Sequence, residues 1–181
     1  HAEIHQMRSD QGGTVTGRFS YSNPNLQQIP ARHAILGPLI RSIFIPEKDC
    51  EWGIFDYSQQ EPRLVVHYAS MKHFTGASKF VESYQEDQTT DFHTMVSEMA
   101  DIPRKQAKTI NLGLFYGMGK GKLMSQLGVN LETASDLLAA YNERVPFVKQ
   151  LMNDTMNKAG KKGYLSTLEG RRCRFDLWEP T

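Results

Sequence analysis

The sequence predicts an α+β fold in which short strands near both ends of the chain flank a mostly helical middle. Short, partly β-branched runs occur near the start, whereas apolar residues recur at helical spacing between residues 76 and 158. Near the end, a turn at Glu169-Gly170 separates two further strand candidates, 164–168 and 171–175. With 181 residues, 39% of them hydrophobic, the chain is long enough to form a core of its own.

Three short strands are predicted before the helical part, at 14–20, at 39–46, where Pro46 ends the run, and at 52–56. Between the first two lies a segment, 22–30, that is rich in Asn and Gln and bounded by prolines. These amides are typical turn formers, and they are also the side chains that contact base edges and sugars in nucleic-acid grooves. The local sequence leaves both interpretations open.

Asp56 lies at the end of the third predicted strand, beside the start of a helix. The run Ser58-Gln59-Gln60-Glu61 fits a capping box, with Ser58 as the cap and Glu61 reaching back to it. Because Ser58 takes the capping position, Asp56 is left without an obvious structural role. A hard cation such as Mg²⁺ is commonly held by one or two carboxylates together with substrate phosphates, and Asp56 suits that task.

A helix is predicted from Asp91 to Ala100, with Asp91 as its cap. His93 falls in the first turn, where backbone N–H groups favour an anion. A single histidine in a helix is more often structural than ligand-binding, so both roles stay open for His93.

The next predicted helix, 103–117, places four side chains on one stripe, since residues four apart share a face. Pro103 suits the first helical position and Gly117 a left-handed end. The stripe consists of Arg104, Lys108, Leu112 and Tyr116. Two cations, an apolar side chain and an aromatic ring in line suit a ligand with phosphates at one end and a flat base at the other. A solvated basic helix face is the alternative.

The remaining elements are a long helix that Pro146 divides in two and a terminal hairpin with basic residues at its tip. The net charge of +1 hides an uneven distribution, because no carboxylate stands between Asp101 and Glu132. This asymmetry favours a polyanionic partner such as a nucleic-acid backbone. The two cysteines match no metal-ligand spacing and are expected to stay reduced in a cytosol.

Five motifs, in order and spread over nearly the whole chain, together resemble family A DNA polymerases, the bacterial DNA polymerase I family. The first catalytic motif of that family resembles Asp56-Tyr57-Ser58-Gln59-Gln60-Glu61-Pro62-Arg63, and its fingers helix resembles Arg104-x-x-x-Lys108-Thr109-Ile110-Asn111-x-Gly113-x-x-Tyr116-Gly117. The others are Thr16-Gly17-Arg18-Phe19-Ser20 with Pro24-Asn25-Leu26-Gln27, Asp91-x-His93-Thr94, and Leu168-x-Gly170-Arg171-Arg172.

This resemblance implies a right-hand polymerase fragment. Residues 1–75 would form a partial palm with part of an antiparallel sheet, 76–158 the helical fingers, and 159–181 a basic hairpin returning towards the palm. The implied activity is template-directed transfer of a nucleotide from a dNTP to a primer 3′-hydroxyl by a two-metal mechanism with Mg²⁺. DNA primer–template and dNTPs would be the partners, with no membrane, in the cytoplasm of a bacterial or phage-infected cell.

The resemblance also implies residue roles. Asp56 would bind both metal ions, with the Tyr57 carbonyl as a further ligand, and Asp56 and Lys108 would be the catalytic residues. The remaining nucleotide contacts would come from Gln59, Glu61, His93, Arg104, Leu112 and Tyr116, with Glu61 excluding a 2′-hydroxyl and Tyr116 at the templating base pair. The DNA contacts would come from Arg18, Asn25 and Gln27 in the minor groove and from Arg171 and Arg172 on the backbone.

Three departures from the family pattern limit this inference. Gln60 and Pro62 flank Glu61 where many members have Ile and Leu, a phage-like variant. Leu112 stands where the family usually has Phe or Tyr, which predicts altered selection against dideoxynucleotides. The family's second catalytic motif, His-Asp-Glu, does not occur in the sequence, and we expect the thumb to be absent as well.

We therefore expect a fragment with little activity alone. The alternative is a non-catalytic nucleotide- or DNA-binding fragment, or one half of a split polymerase that needs a complementing fragment.

Overall fold

The computed structural model describes residues 1–10, 12–30 and 33–175. The described residues form two compact units, one from His1–Asp56 with Ser166–Cys173 and the other from Tyr57–Leu165 with the residues from Arg174 onward. The predicted terminal hairpin region extends to residue 181, so its last six residues lie outside the described part of the chain. The α+β prediction is confirmed.

The first unit holds little regular structure. Its two-stranded antiparallel sheet pairs β1 (Glu3–His5) with β2 (Ser20–Ser22), with Ile4 opposite Tyr21. A 3₁₀ turn, Leu26–Gln28, and a short helix, α1 (Leu36–Arg41), follow.

The strand predictions for this part of the chain are wrong. The only strand near the predicted 14–20 is β2, and residues 50–57 have no regular secondary structure. The predicted 39–46 strand is helical at its start, since Ser42 N–H donates to the Pro38 carbonyl at 2.9 Å. A short apolar run does not distinguish a strand from a helical turn, because a strand also needs a neighbouring strand for its backbone hydrogen bonds.

The second unit is helical. Its seven helices are α2 (Gln60–Met71), α3 (Ala77–Glu86), α4 (Phe92–Ala100), α5 (Arg104–Phe115), α6 (Lys120–Leu127), α7 (Leu131–Arg144) and α8 (Pro146–Lys162). A hairpin of β3 (Tyr164–Ser166) and β4 (Arg172–Arg174) closes the described chain, as predicted. No helix among the described residues is both long and apolar enough to cross a membrane.

Several predicted helix ends are confirmed. Asp91 caps α4, since its carboxylate accepts from the Thr94 N–H at 2.7 Å. Pro146 separates α7 from α8 and takes the first position of α8, where its missing N–H costs nothing.

The core of the second unit is an aromatic cluster that joins α3, α4 and α8. Phe92 is fully buried, with its ring centroid 5.2 Å from that of Phe80, and Phe80 lies 5.0 Å from Phe147. Burying one such ring contributes about 1.5–3 kcal/mol. This cluster fixes α4 and gives α5 a rigid surface to pack on.

Candidate functional site

The predicted stripe along α5 is present on the second unit. Arg104, Lys108 and Tyr116 are exposed and Leu112 is half-buried. The helix begins at Arg104, one residue later than predicted, with Pro103 outside it. It ends at Phe115, and Gly117, two residues later, takes the predicted left-handed conformation with φ of +72°, while Met118 N–H donates to the Gly113 carbonyl at 2.8 Å.

The inner face of α5 determines where this stripe points. Ala107, Ile110 and Asn111 are fully buried against neighbouring helices. Because these three inner positions are fixed by packing, Lys108 and Leu112 are turned away from the packed face, and Lys108 is exposed whereas Leu112 is half-buried.

Arg104 makes an ion pair with Asp91, the cap of α4. Its Nη2 lies 2.9 Å from the Asp91 carboxylate, and its Nε donates to Thr94 Oγ1 at 3.1 Å. Burial tends to raise the pKa of Asp91, but hydrogen bonds from Arg104 and Thr94 outweigh it and hold that pKa below its usual value. This ion pair is exposed, so it is worth only about 0–1 kcal/mol, and a phosphate can compete for Arg104.

Gln59 ties the start of α2 to the same region. It sits just before α2 in a left-handed conformation, with φ of +53°. Its side-chain amide donates to the Thr90 carbonyl at 3.1 Å and accepts from the Phe92 N–H at 2.7 Å. Through these two hydrogen bonds Gln59 holds the backbone on both sides of Asp91, and so it positions the carboxylate that pairs with Arg104.

The capping box predicted for Ser58 and Glu61 is wrong. Gln59, not Ser58, precedes the helix, and no side chain caps it, because the left-handed backbone at Gln59 breaks the required geometry. Glu61 instead accepts a hydrogen bond from the Tyr116 hydroxyl at 2.7 Å. This contact, across 55 residues of sequence, joins two residues that the motifs had assigned separately to the nucleotide.

Leu112 and Tyr116 line an open cleft of about 640 Å³ at the C-terminal end of α5. Thr109, Met118 and Lys122 also line it. The lining of the cleft therefore combines apolar side chains, an aromatic ring and a cation.

His93 is 6% exposed, and its Nδ1 lies 2.8 Å from the side-chain amide nitrogen of Asn111. Asn111 also accepts from the Tyr141 hydroxyl at 2.7 Å, and both of these residues are fully buried. Burial lowers the pKa of His93, and the nearby cations Lys108 and Arg104 lower it further, against the opposing charge of Asp91. Burial and these two cations therefore favour the neutral form of His93.

The sequence analysis assigned no role to Asn111 or Tyr141. The sequence does contain an indication of the role of Asn111, because this polar residue lies on the apolar side of a helical pattern. A buried amide at such a position needs hydrogen-bond partners.

Asp56 and the predicted DNA-contacting residues lie in the first unit. Asp56 is exposed, and Tyr57, the first residue of the second unit, is 80% exposed. The Arg171 guanidinium lies against Gly17, where a Cβ atom would stand 1.6 Å from its Nη1. Gly17, with φ of +83°, leaves room for this close approach.

The other predicted DNA contacts are exposed as well. They are Arg18, Asn25, Gln27 and Arg172. Asn25 accepts from the Gln27 N–H at 3.0 Å, and the Gln27 amide donates to the Phe19 carbonyl at 2.9 Å. Turn formation thus accounts for Asn25, whereas Gln27 braces the backbone next to Arg18.

Comparisons with known proteins agree with the motifs. The sequence model of DNA polymerase family A matches residues 1–179. A DNA-directed DNA polymerase of Pseudomonas phage M6 is 35% identical over 97% of this chain, and the thermostable DNA polymerase I of Thermus aquaticus is 36% identical over 91%. This chain spans only 33% and 20% of the lengths of those two relatives.

Among solved structures, the chain resembles the POL domain of Pol1 from M. smegmatis in complex with a DNA primer–template and dNTP. The TM-score is 0.76 at 30% identity, over 96% of this chain and 30% of that one.

Proposed function

This chain belongs to DNA polymerase family A, and we propose that it takes part in template-directed DNA synthesis, the transfer of a nucleotide from a dNTP to a primer 3′-hydroxyl. In this proposal residues 1–75 are a partial palm, 76–158 the fingers and 159–181 a basic hairpin. The partners are primer–template DNA and dNTPs, in the cytoplasm of a bacterial or phage-infected cell.

The observation that carries the proposal is the row of Arg104, Lys108, Leu112 and Tyr116 along α5, of which the last two line the cleft. A dNTP laid along α5 would place its triphosphate at the two cations and its base near Tyr116. Lys108 and Arg104 would hold the phosphates and stabilise charge that builds up on the leaving pyrophosphate. The Tyr116–Glu61 hydrogen bond would fix the Glu61 carboxylate below the sugar, where it excludes a 2′-hydroxyl.

The donors of the chain fit part of a Mg²⁺ site. Family A DNA polymerases are generally metal-dependent, and Asp56 offers an exposed carboxylate. In the described part of the chain, no three His, Cys, Asp or Glu side chains are grouped to hold an ion. Since Mg²⁺ is held by one or two carboxylates plus substrate phosphates, Asp56 and the Tyr57 carbonyl would hold it with the triphosphate and a second carboxylate. Bound there, Mg²⁺ would lower the pKa of the primer 3′-hydroxyl and neutralise the pyrophosphate.

Replacing Lys108 with alanine is expected to weaken dNTP binding by about ten- to 150-fold, since a charge-assisted hydrogen bond contributes about 1.5–3 kcal/mol. Titration of the chain with a fluorescent dNTP measures this. Lys105→Ala is the matched control, because Lys105 is an exposed lysine on the same helix but outside the stripe. Equal losses in both variants would mean that only general positive charge matters.

Replacing Leu112 with phenylalanine is expected to change both the incorporation rate and the selection against dideoxynucleotides in a complete enzyme. Leu112 lines the cleft, and an aliphatic side chain there can neither stack nor donate a hydrogen bond near the sugar. Single-turnover incorporation of dATP and ddATP checks this. If neither rate changed, Leu112 would have no part in nucleotide selection.

The second candidate is a binding fragment without catalysis, or half of a split polymerase. The exposed cations Arg104 and Lys108 support it equally, because holding a triphosphate requires no catalytic carboxylate. Both candidates predict dNTP binding. A complementing fragment is expected to restore primer extension if the chain is part of a polymerase, split or whole, but not if it is purely a binding fragment.

A further inference from the structure

A buried hydrogen-bond chain links α4, α5 and α7 behind the proposed nucleotide face. Asn111 of α5 donates from Nδ2 to His93 Nδ1 at 2.8 Å and accepts at Oδ1 from the Tyr141 hydroxyl at 2.7 Å. Asn111 and Tyr141 are fully buried and His93 is 6% exposed. Breaking either hydrogen bond of this buried amide would leave polar groups without partners, at a cost in free energy. The two hydrogen bonds therefore hold the three helices in position relative to one another.

The partners of Asn111 dictate which nitrogen of His93 carries the proton. An amide NH₂ group only donates, so His93 Nδ1 must present a lone pair, and a neutral ring then has its proton on Nε2. Turning the amide over would place Nδ2 against Tyr141. The Tyr141 proton would then lose its acceptor, because Asn111 is the only hydrogen-bond partner of that hydroxyl in the described part of the chain. Tyr141 therefore holds the amide in one orientation.

The charges around His93 are consistent with a neutral ring. Asp91 faces it from the start of α4, Arg104 and Lys108 from α5, and the uncharged Tyr141 phenol from α7 through Asn111. Burial raises the pKa of Tyr141, so the phenol keeps its proton. Lys108 and Arg104 both oppose a positive charge on His93, and the Asp91 carboxylate, which favours one, is itself paired with Arg104.

We infer that Asn111 and Tyr141 are positioning residues that hold His93 as the neutral tautomer protonated on Nε2. This inference rests on the proposed function, because His93 would then offer a triphosphate oxygen one N–H donor next to the cations Arg104 and Lys108. Asn111 also anchors α5 to two helices at a position one turn after Lys108. The same contacts thus set the rotation of α5 about its axis and the direction of Lys108.

Long-range ¹H–¹⁵N NMR of the full chain with ¹⁵N-labelled histidine tests the tautomer without any need for activity. In the wild type, His93 is expected to carry its proton on Nε2. Asn111→Asp replaces the donor with an acceptor, so the proton is expected to move to Nδ1, with the pKa of His93 higher than in the wild type. Tyr141→Phe frees the amide to turn and is expected to give a mixture of tautomers.

Tyr84→Phe is the matched control, a half-buried tyrosine of the same unit whose hydroxyl makes no hydrogen bond to any residue that the structure describes. It is expected to leave His93 unchanged. If Asn111→Asp does not fold, Tyr141→Phe alone decides the result. A wild-type proton on Nδ1, or an unchanged tautomer in the folded variants, would overturn the inference. Titration with dATP separates the proposed nucleotide binding from the inferred tautomer. If the His93 signal of the wild type did not change on addition of dATP, the proposed function would be contradicted but the tautomer would not.

Discussion

Replacing Asp56 with alanine is expected to lower primer extension by a factor of about 1,000 or more in a polymerase reconstituted from this chain and a fragment that carries the second acidic motif. Metal-ion stabilisation of the transferring phosphoryl group is worth several kcal/mol, and each 1.4 kcal/mol or so is a factor of ten. Asp56 is exposed, so its loss should not disturb packing. Extension of a labelled primer, followed over time, measures the effect.

Glu51→Ala is the control for this substitution, since Glu51 is an exposed carboxylate five residues before Asp56. It is expected to retain full activity. If the Asp56→Ala polymerase extended primers as fast as the wild type, the metal-binding role of Asp56 would be wrong.

Replacing Phe92 with alanine is expected to reduce the free energy of unfolding of the helical unit by about 3–5 kcal/mol. The substitution leaves a cavity that the surrounding side chains fill only in part. The Phe92 ring is fully buried and lies 5.2 Å from Phe80, 5.8 Å from Phe115 and 6.5 Å from Phe147, measured between ring centroids. Since domains are stable by only about 5–15 kcal/mol, one such cavity removes much of the total. Urea denaturation followed by circular dichroism measures the loss.

Phe55→Ala provides the matched comparison, because the Phe55 side chain is 96% exposed. Its effect is expected to stay within about 0.5 kcal/mol. A variant such as Phe92→Leu, which removes less volume, should fall between the two. Equal stability of the Phe92→Ala and Phe55→Ala chains would show that the aromatic cluster is not the core of this unit.

The helical part of the fold was predictable because its signals are local. Asp91 as a cap, Gly117 as a left-handed end and Pro146 as a break each follow from the chemistry of one residue and its immediate neighbours. The terminal hairpin was predictable too, but the strands before the helical part were not. The apolar runs at 39–46 and 52–56 contain suitable residues, but strand formation depends on pairing with a distant segment, which no local pattern records.

For the candidate site, too, the local features could be predicted from the sequence and the long-range contacts could not. The stripe on α5 followed from helical spacing alone, and the structure presents it on the surface as expected. The contacts that organise it join residues far apart in sequence, such as Tyr116 with Glu61 and Asn111 with Tyr141. Side-chain hydrogen bonds of this kind depend on how helices pack, so sequence patterns indicated Tyr116 and Glu61 but neither their contact nor the roles of Asn111 and Tyr141.

The most direct test of the account is primer extension by the purified chain, alone and mixed with a fragment that supplies the His-Asp-Glu motif. We expect negligible extension by the chain alone and template-dependent extension by the mixture, lost again when the chain carries Asp56→Ala. Robust extension by the chain alone would contradict the expected division of the metal site between two segments. No extension by a folded, DNA-binding mixture would contradict the catalytic role and favour a binding fragment.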